Sequence, residues 1–415
     1  MTRRRAVGSL AALLTAHALS QTGNVVTLFA VPFAVLATGG GPVQVGVASF
    51  VATVPIVIGG PLGGVLVGRI GYKRSSILAD VVNGAAIVLI PILAVTVGLP
   101  FWALLGLVFV GGLLDTPGQT ARRVLVPDIS GLAGVRLERS VGFIDAATRL
   151  SGLIGAPLAG ILVAALGPFE ALYATAAGFA LSALVTVLLV DAPVSVTASD
   201  EVQEGYWADL RAGFRAVVHD PLLRILVALV LVTNLLDAAR SNTLLPLYAD
   251  QRLGGAGALG WIVACFGGSA LVGSVLFGFV AHRVPRRVTF SVCFVLAGGP
   301  SLCVFALGLP VPWLIAGMVV SGLAAGSLNP ILGAVQFERI PEHLRARVFG
   351  LLTAAAWAGV PLGGLLGGFA ASAWGVSTTF GIVGVIYVGV CLAPLSGGRW
   401  RLMEKDAIQK DRVLA

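Results

Sequence analysis

The chemistry this chain offers lies in polar side chains set inside otherwise apolar stretches. His17, Ser20, Gln21, Asn24 and Thr27 recur at i, i+3, i+4, i+7 and i+10, which sets them on one face of a helix. Asn234, Asp237 and Ser241, at i, i+3 and i+7, form a second stripe in the other half of the chain. Overlaid, the two stripes match to within one residue. They predict opposing walls of one central substrate cavity lined by His17, Gln21, Asn24, Thr27, Asn234, Asp237 and Ser241. The bland alternative is a set of polar helix–helix contacts satisfied inside a bundle.

Charged residues sharpen the choice, because one at a bilayer centre costs roughly 2.5–3.5 kcal/mol on insertion scales. Asp237 and Arg240 are three residues apart, Asp145 and Arg149 four apart. Each set reads either as an intrahelical ion pair that lowers the insertion cost or as a carboxylate that gains and loses a proton beside an arginine. Asp237, near the centre of its apolar stretch, is the first candidate for proton coupling. Asp80 and Asp115 lie nearer the basic ends of theirs, where a structural or gating role is expected. His17 reads as a proton relay or as a hydrogen-bonded packing residue.

These residues need membrane-spanning helices to position them. The chain has 415 residues, 57% hydrophobic and 11% charged, with a mean hydropathy of +0.97. Soluble chains carry about 25% charge, so the composition points to an integral membrane protein. Stretches long enough to span fall near 8–34, 44–67, 76–97, 101–121, 139–166, 169–190, 221–248, 256–281, 288–309, 312–335, 346–373 and 377–395. The 55 glycines suit close helix packing in lipid. Four cysteines, Cys265, Cys293, Cys303 and Cys391, read as small buried hydrophobes with no metal spacing. Arg3–Arg5 precede a full-length apolar stretch without a small-residue cleavage site, so no removable leader is expected.

Basic residues alternate sides. Arg3–Arg5, Arg69/Lys73/Arg74, Arg122/Arg123/Arg136/Arg139, Arg211/Arg215, Arg283/Arg286/Arg287, Arg339/Arg345/Arg347 and the tail from Arg399 share one side, with Arg252 the exception on the other. That predicts both termini in the cytoplasm. The formal charge of +8 then faces the inner leaflet, and no nucleic-acid partner is needed. Trp102, Trp261, Trp313 and Trp374 near outer ends, with Trp207 and Trp400 near inner ones, fit an interfacial belt.

The pattern is duplicated. Gly64-Val-Leu-Val-Gly-Arg-Ile-Gly-Tyr-Lys-Arg74 recurs as Gly278-Phe-Val-Ala-His-Arg-Val-Pro-Arg-Arg287, 214 positions on. Pro32 and Pro246, and Pro127 and Pro341, keep that spacing. Pro157-Leu-Ala-Gly160 and Pro361-Leu-Gly-Gly364 stand 204 apart, because the first inner loop is longer. The expected fold is therefore all-α and integral to the membrane, with twelve transmembrane helices in two pseudo-symmetric six-helix bundles. The bundles are expected at 1–190 and 221–397. Between them, 191–220 reads as a cytoplasmic linker with an amphipathic helix (Trp207, Leu210, Phe214, Val217, Val218 on one face), and 398–415 as a cytoplasmic tail.

On these residues the whole chain resembles the major facilitator superfamily, and most nearly its drug-efflux branch of macrolide-efflux and enterobactin-exporter proteins. Gly64–Arg74 is similar to the family signature G-x-L-x-D-R-x-G-R-K/R, and the run Gln336–Gly350 supports the branch. Gly155-Ala-Pro157-Leu-Ala-Gly160 resembles the antiporter signature G-P-x-x-G, loosened by Ala156. The resemblance implies gating by Arg69, Arg74 and, in the second copy, Arg283, with Asp80 and Asp115 as further gating candidates. Two departures stand out. Gly68 occupies the place of the family's acid, and the arginine that its antiporters often carry in the fourth span is missing, with Asp115 there instead.

Together these features predict a proton-coupled antiporter that exports small amphiphilic compounds, such as antibiotics, siderophores or other metabolites, by alternating access. The expected setting is the cell membrane, and the expected state a monomer that takes a small-molecule substrate and a proton and needs no cofactor. Three lysines, Lys73, Lys405 and Lys410, none within GxxxxGK[ST], leave no ATP motor. Uptake or facilitated transport without protons stays open, kept so by Gly68. A membrane enzyme is remote: there is no His–Glu metal pattern, no GxS nucleophile with a base, and no aspartate-rich site.

Overall fold

The computed structural model describes residues 2–191, 217–340 and 345–404, side chains excepted at 60–66, 68–69 and 345–347. Most of the linker 191–220, the side chain of Arg69 and the tail beyond residue 404 therefore lie outside the described residues. All regular elements among the described residues are helical, as they must be where no water satisfies backbone N–H and C=O groups.

Twelve helices are long and apolar enough to cross a membrane: Arg3–Ala37, Pro42–Gly59, Tyr72–Thr96, Phe101–Ala133, Leu137–Leu166, Pro168–Leu189, Pro221–Arg252, Ala256–Val280, Arg286–Ala306, Val311–Arg339, Val348–Trp374 and Val376–Ser396. They are called spans one to twelve below. Several outrun the apolar pattern, and the fourth does so most. It ends at residue 121 by hydropathy but continues helically to Ala133, because Arg122 and Arg123 lower the hydropathy without breaking the helix. Some turns between spans are short. Gly71, at φ +89°, alone separates the helix Pro42–Ile70 from span three, and Gly167, at φ +102°, separates spans five and six. Both need the left-handed region that glycine reaches without strain.

Three spans are interrupted. The fourth breaks at Leu114, between Phe101–Leu113 and Asp115–Ala133. The eleventh breaks at Gly359, between Arg345–Ala358 and Val360–Trp374. The seventh widens into a π-helical turn, Ala239–Leu244, between Pro221–Ala238 and Leu245–Arg252. Such turns occur often at functional sites.

The chain forms two compact units. The first comprises Met1–Asp200 with Ala249–Trp261, the second Glu201–Tyr248 with Ile262–Ala415. In the first, span one packs against spans five and six, and span three against span six. Leu10, Leu13, Leu125, Val126, Ile129 and Ile144 close its basic end as an apolar cluster. In the second, span nine packs against spans ten and twelve, and the rings of Tyr248, Phe305 and Phe380 stack edge-on and face-on.

Glycine sets how closely helices approach in the second unit. A Cβ at Gly363 of span eleven would strike the carbonyl of Leu235 in span seven, and one at Gly367 would lie 3.2 Å from Cα of Ala239. A Cβ at Gly322 of span ten would strike Ser269 and the carbonyl of Phe266 in span eight. These backbones meet because no side chain intervenes. Trp102, Trp261, Trp313 and Trp374 all stand more than half exposed.

Candidate functional site

The polar stripe of span one is spent largely on contacts within the first unit. His17 is fully buried, its Nε2 2.8 Å from Thr148 Oγ1 of span five. Ser20 donates to Asp80 Oδ1 at 2.9 Å, and Gln21 to Gln119 Oε1 at 3.1 Å. Asn24 donates to Asp115 Oδ1 at 2.6 Å and accepts from Asn83 at 3.1 Å. His17 and Ser20 are therefore packing residues bonded to neighbouring helices. Gln21, Asn24 and Thr27 keep partial exposure.

At the centre of that unit sits a charge pair that hydropathy hides. Arg122 Nη2 meets Asp80 Oδ1 at 2.6 Å, both side chains 1% exposed. Arg122 also donates to Ser76 at 2.8 Å, and Asp80 Oδ2 accepts from Ser182 at 2.7 Å. The fourth span thus does carry an arginine, which corrects the expectation that it lacks one. Asp115, Gln119 and Arg122 stand at i, i+4 and i+7 and so share a helical face, a signal lost when the span is ended at 121. Asp80 and Arg122 are sealed from exchange with solvent, so they fasten spans one, three, four and six together.

The second unit encloses a cavity of about 480 Å³, within the range of small-molecule sites. Its walls expose polar and apolar surface about equally, the apolar share including Phe266, Phe294, Phe349, Trp357 and Tyr387. Thr233, Asn234, Asn329, Gln336 and Thr353 supply scattered polar groups. One charged pair faces it: Asp237 and Arg240 of span seven, 3.1 Å apart, the carboxylate side chain 36% exposed and the guanidinium 6%. Arg240 donates to Ser301 Oγ at 2.8 Å and lies 5.2 Å from the centroid of the Phe266 ring. The arginine is thus braced by span nine and span eight, while the carboxylate is presented to the cavity. Asn234 lines it too and ties span seven to span eleven by donating to the Ala356 carbonyl at 2.8 Å.

Other predicted residues lie elsewhere. Ser241 is exposed and does not line the cavity: it falls in the π-helical turn, where the i, i+4 register of an ideal helix no longer holds. Asp145 does not pair with Arg149. It meets Arg123 at 3.5 Å, both half exposed, and Arg149 is exposed. Arg74 and Arg283 are exposed, Arg283 donating to His282 at 3.0 Å. The ion pairs at the basic end of the second unit involve different residues. Arg286 grips Glu338 with two bonds of 2.5 and 2.8 Å, and Arg339 meets Asp220 at 2.9 Å. Gly155 faces Val25 of span one, where a Cβ would lie 2.7 Å from the valine Cγ1. Pro157 sits within the span-five helix, and Gly160 meets Gly260 backbone to backbone.

Twelve spans, a duplicated pattern and an enclosed amphiphilic cavity set the ground for comparison with known proteins. The sequence profile described as Major Facilitator Superfamily matches residues 13–257 and 227–399. This chain belongs to that superfamily. It is accordingly a membrane transporter and not an enzyme. Its sequence is 28% identical over 376 residues to the multidrug efflux pump Tap of Mycolicibacterium fortuitum, covering 90% of this chain and 91% of the relative. It is 24% identical to macrolide efflux protein A of Streptococcus pyogenes, covering 91% and 92%. Among solved structures, the nucleoside transporter NupG superposes with a TM-score of 0.72 at 15% identity, covering 93% of this chain and 98% of that one. At that identity the likeness concerns the fold alone.

Proposed function

We propose that this superfamily member exports small amphiphilic compounds, including antibiotics, across the cell membrane in exchange for inward-moving protons. The observation that carries the reading is the cavity of about 480 Å³ whose walls mix apolar, aromatic and polar groups, with Asp237 its one partly exposed carboxylate among the described residues. The apolar part of such walls holds varied ligands because burial of apolar surface is non-directional, and the polar part suits the hydrophilic end of an amphiphile. The efflux names of the Tap and macrolide relatives point the same way. In this reading both termini are cytoplasmic, the protein works as a monomer, and transport proceeds by alternating access.

Coupling would rest on Asp237. Ionised, it pairs with Arg240; protonated, it releases the guanidinium, which Ser301 and the Phe266 face still hold in place. Each state gives the cavity a different charge, so substrate and proton compete through one side chain. A ligand shifts the balance between states only by its difference in affinity for them.

The test is accumulation of an amphiphilic fluorescent dye in cells with and without the protein, with and without a protonophore. Lower accumulation in expressing cells, abolished by the protonophore, is the expected result. Asp237→Asn should raise accumulation to that of non-expressing cells while membrane insertion is unchanged. Wild-type export by Asp237→Asn across pH removes Asp237 from the coupling mechanism.

A further inference from the structure

The first unit holds a second carboxylate whose surroundings differ from those of either charge pair. Asp115 accepts at Oδ1 from Asn24, 2.6 Å, and at Oδ2 from Gln119, 2.7 Å. Behind these amides stand two more, Asn83 donating to Asn24 and Gln21 donating to Gln119. Four amides are thus linked, directly or through one another, to one carboxyl group, and Asn24 also donates to Gln21 Oε1 at 3.4 Å. Yet among the described residues no arginine, lysine or histidine lies within ion-pair distance of it, and Arg122, two turns along the same face, is committed to Asp80. A carboxyl group inside a membrane span is neutralised by a proton or by a cationic partner, and among the described residues no basic side chain serves as that partner.

A place for that partner exists beside it. A cavity of about 50 Å³ is lined by Asp115, Asn24, Asn83 and Thr27, with Ile56, Ile87 and Val108 among its apolar walls. Thr27 Oγ1 is buried there with no hydrogen-bond partner. The oxygens of Asp115, Asn83 and Thr27 are hard donors suited to a hard cation. The helix Phe101–Leu113 ends at this point, just before Asp115, and its residues Val108 and Gly112 reach the cavity. The break is one residue, Leu114, so the negative end of that helix and the positive end of the helix Asp115–Ala133 meet there and offset each other. The volume excludes a drug-sized molecule, because one water already takes about 30 Å³. A single carboxylate is too little charge for a divalent ion, which is bound by several.

We infer that this pocket binds a small monovalent cation of sodium size, held by Asp115, Asn83 and Thr27 in the first unit. Gln119 and Asn24 position the carboxylate. The site is separate from Asp237 and stands whether or not protons drive export.

The experiment is equilibrium binding of radiolabelled sodium to the purified full-length protein, with choline chloride holding ionic strength constant. Saturable binding by wild type is expected, displaced by unlabelled sodium or lithium. It should be lost in Asp115→Asn and retained in Asp237→Asn. Gln119→Met, which removes one amide that holds the carboxylate, should weaken binding about 10- to 100-fold. Should Asp115→Asn fail to fold, Thr27→Val takes its place, and a weakened half-saturation is the expected result. Absence of saturable sodium binding in wild type overturns the inference. So does binding that survives unchanged in Asp115→Asn, or in Thr27→Val where that variant stands in. Loss of binding in Asp237→Asn would overturn it as well, since the ion would then sit at the other carboxylate.

Discussion

Asp80→Asn should destabilise this protein far more than Arg122→Met, although each breaks the same buried pair. Removing one partner of a buried pair costs about 3–5 kcal/mol when the remaining charge is left uncompensated. In Asp80→Asn that charge is a guanidinium that cannot lose its proton. It keeps only neutral acceptors, Ser76 and the amide oxygen of the new side chain, and its Nη1 already has no partner. In Arg122→Met the carboxylate keeps Ser20 on one oxygen and Ser182 on the other, and a carboxyl can be neutralised by a proton. Its cost should stay nearer about 1–3 kcal/mol, the penalty of one imperfectly satisfied buried group. The double variant should sit close to Arg122→Met and well short of the sum, because the stranded cation is gone. The assay is the midpoint of heat-induced loss of monodisperse protein in detergent, measured for wild type, both singles and the double. Equal losses in the two singles, or a double variant that loses the sum of both, would refute the claim that an uncompensated guanidinium dominates.

The same structure fixes two further outcomes. Gly322→Ala should lower yield and thermal midpoint, at a cost of about 1–3 kcal/mol for overpacking, because its Cβ meets the Phe266 carbonyl; Gly278→Ala, with open space around it, is the control and should be unaffected in the same melt. Trp357→Ala removes a large ring from the cavity wall, so susceptibility to bulky aromatic compounds should change while that to small ones does not, which a panel of compounds of graded size would show.

Much of the architecture was legible because lipid leaves few options. Apolar runs of spanning length and basic residues on alternate sides follow from the bilayer itself, and prolines at constant spacing follow from the duplication. The site was legible only in part. Asp237 and Arg240 show in the sequence as adjacent charges in an apolar run, and their pairing follows from helical spacing. The Asp80–Arg122 pair does not show, because its members are 42 residues apart and Arg122 looks like a loop cation when hydropathy alone ends the span. His17 drew notice as a titratable group, yet Thr148 and complete burial make it a packing residue. Ser241 was misplaced by a π turn, which leaves no mark in residue type. Contacts between distant helices decide which polar residues meet, and periodicity along one helix does not carry that information.

The π turn of Ala239–Leu244 has a geometric consequence for the span that carries the charged pair. A turn of this kind closes its bonds to the fifth residue on and so holds one residue more than an ordinary turn. Asp237 stands just before it and Arg240 within it. Side chains beyond that point are offset in angle from the face that Asp237 presents to the cavity, which is how Ser241 leaves it, while Gly363 and Gly367 of span eleven let the two backbones lie close.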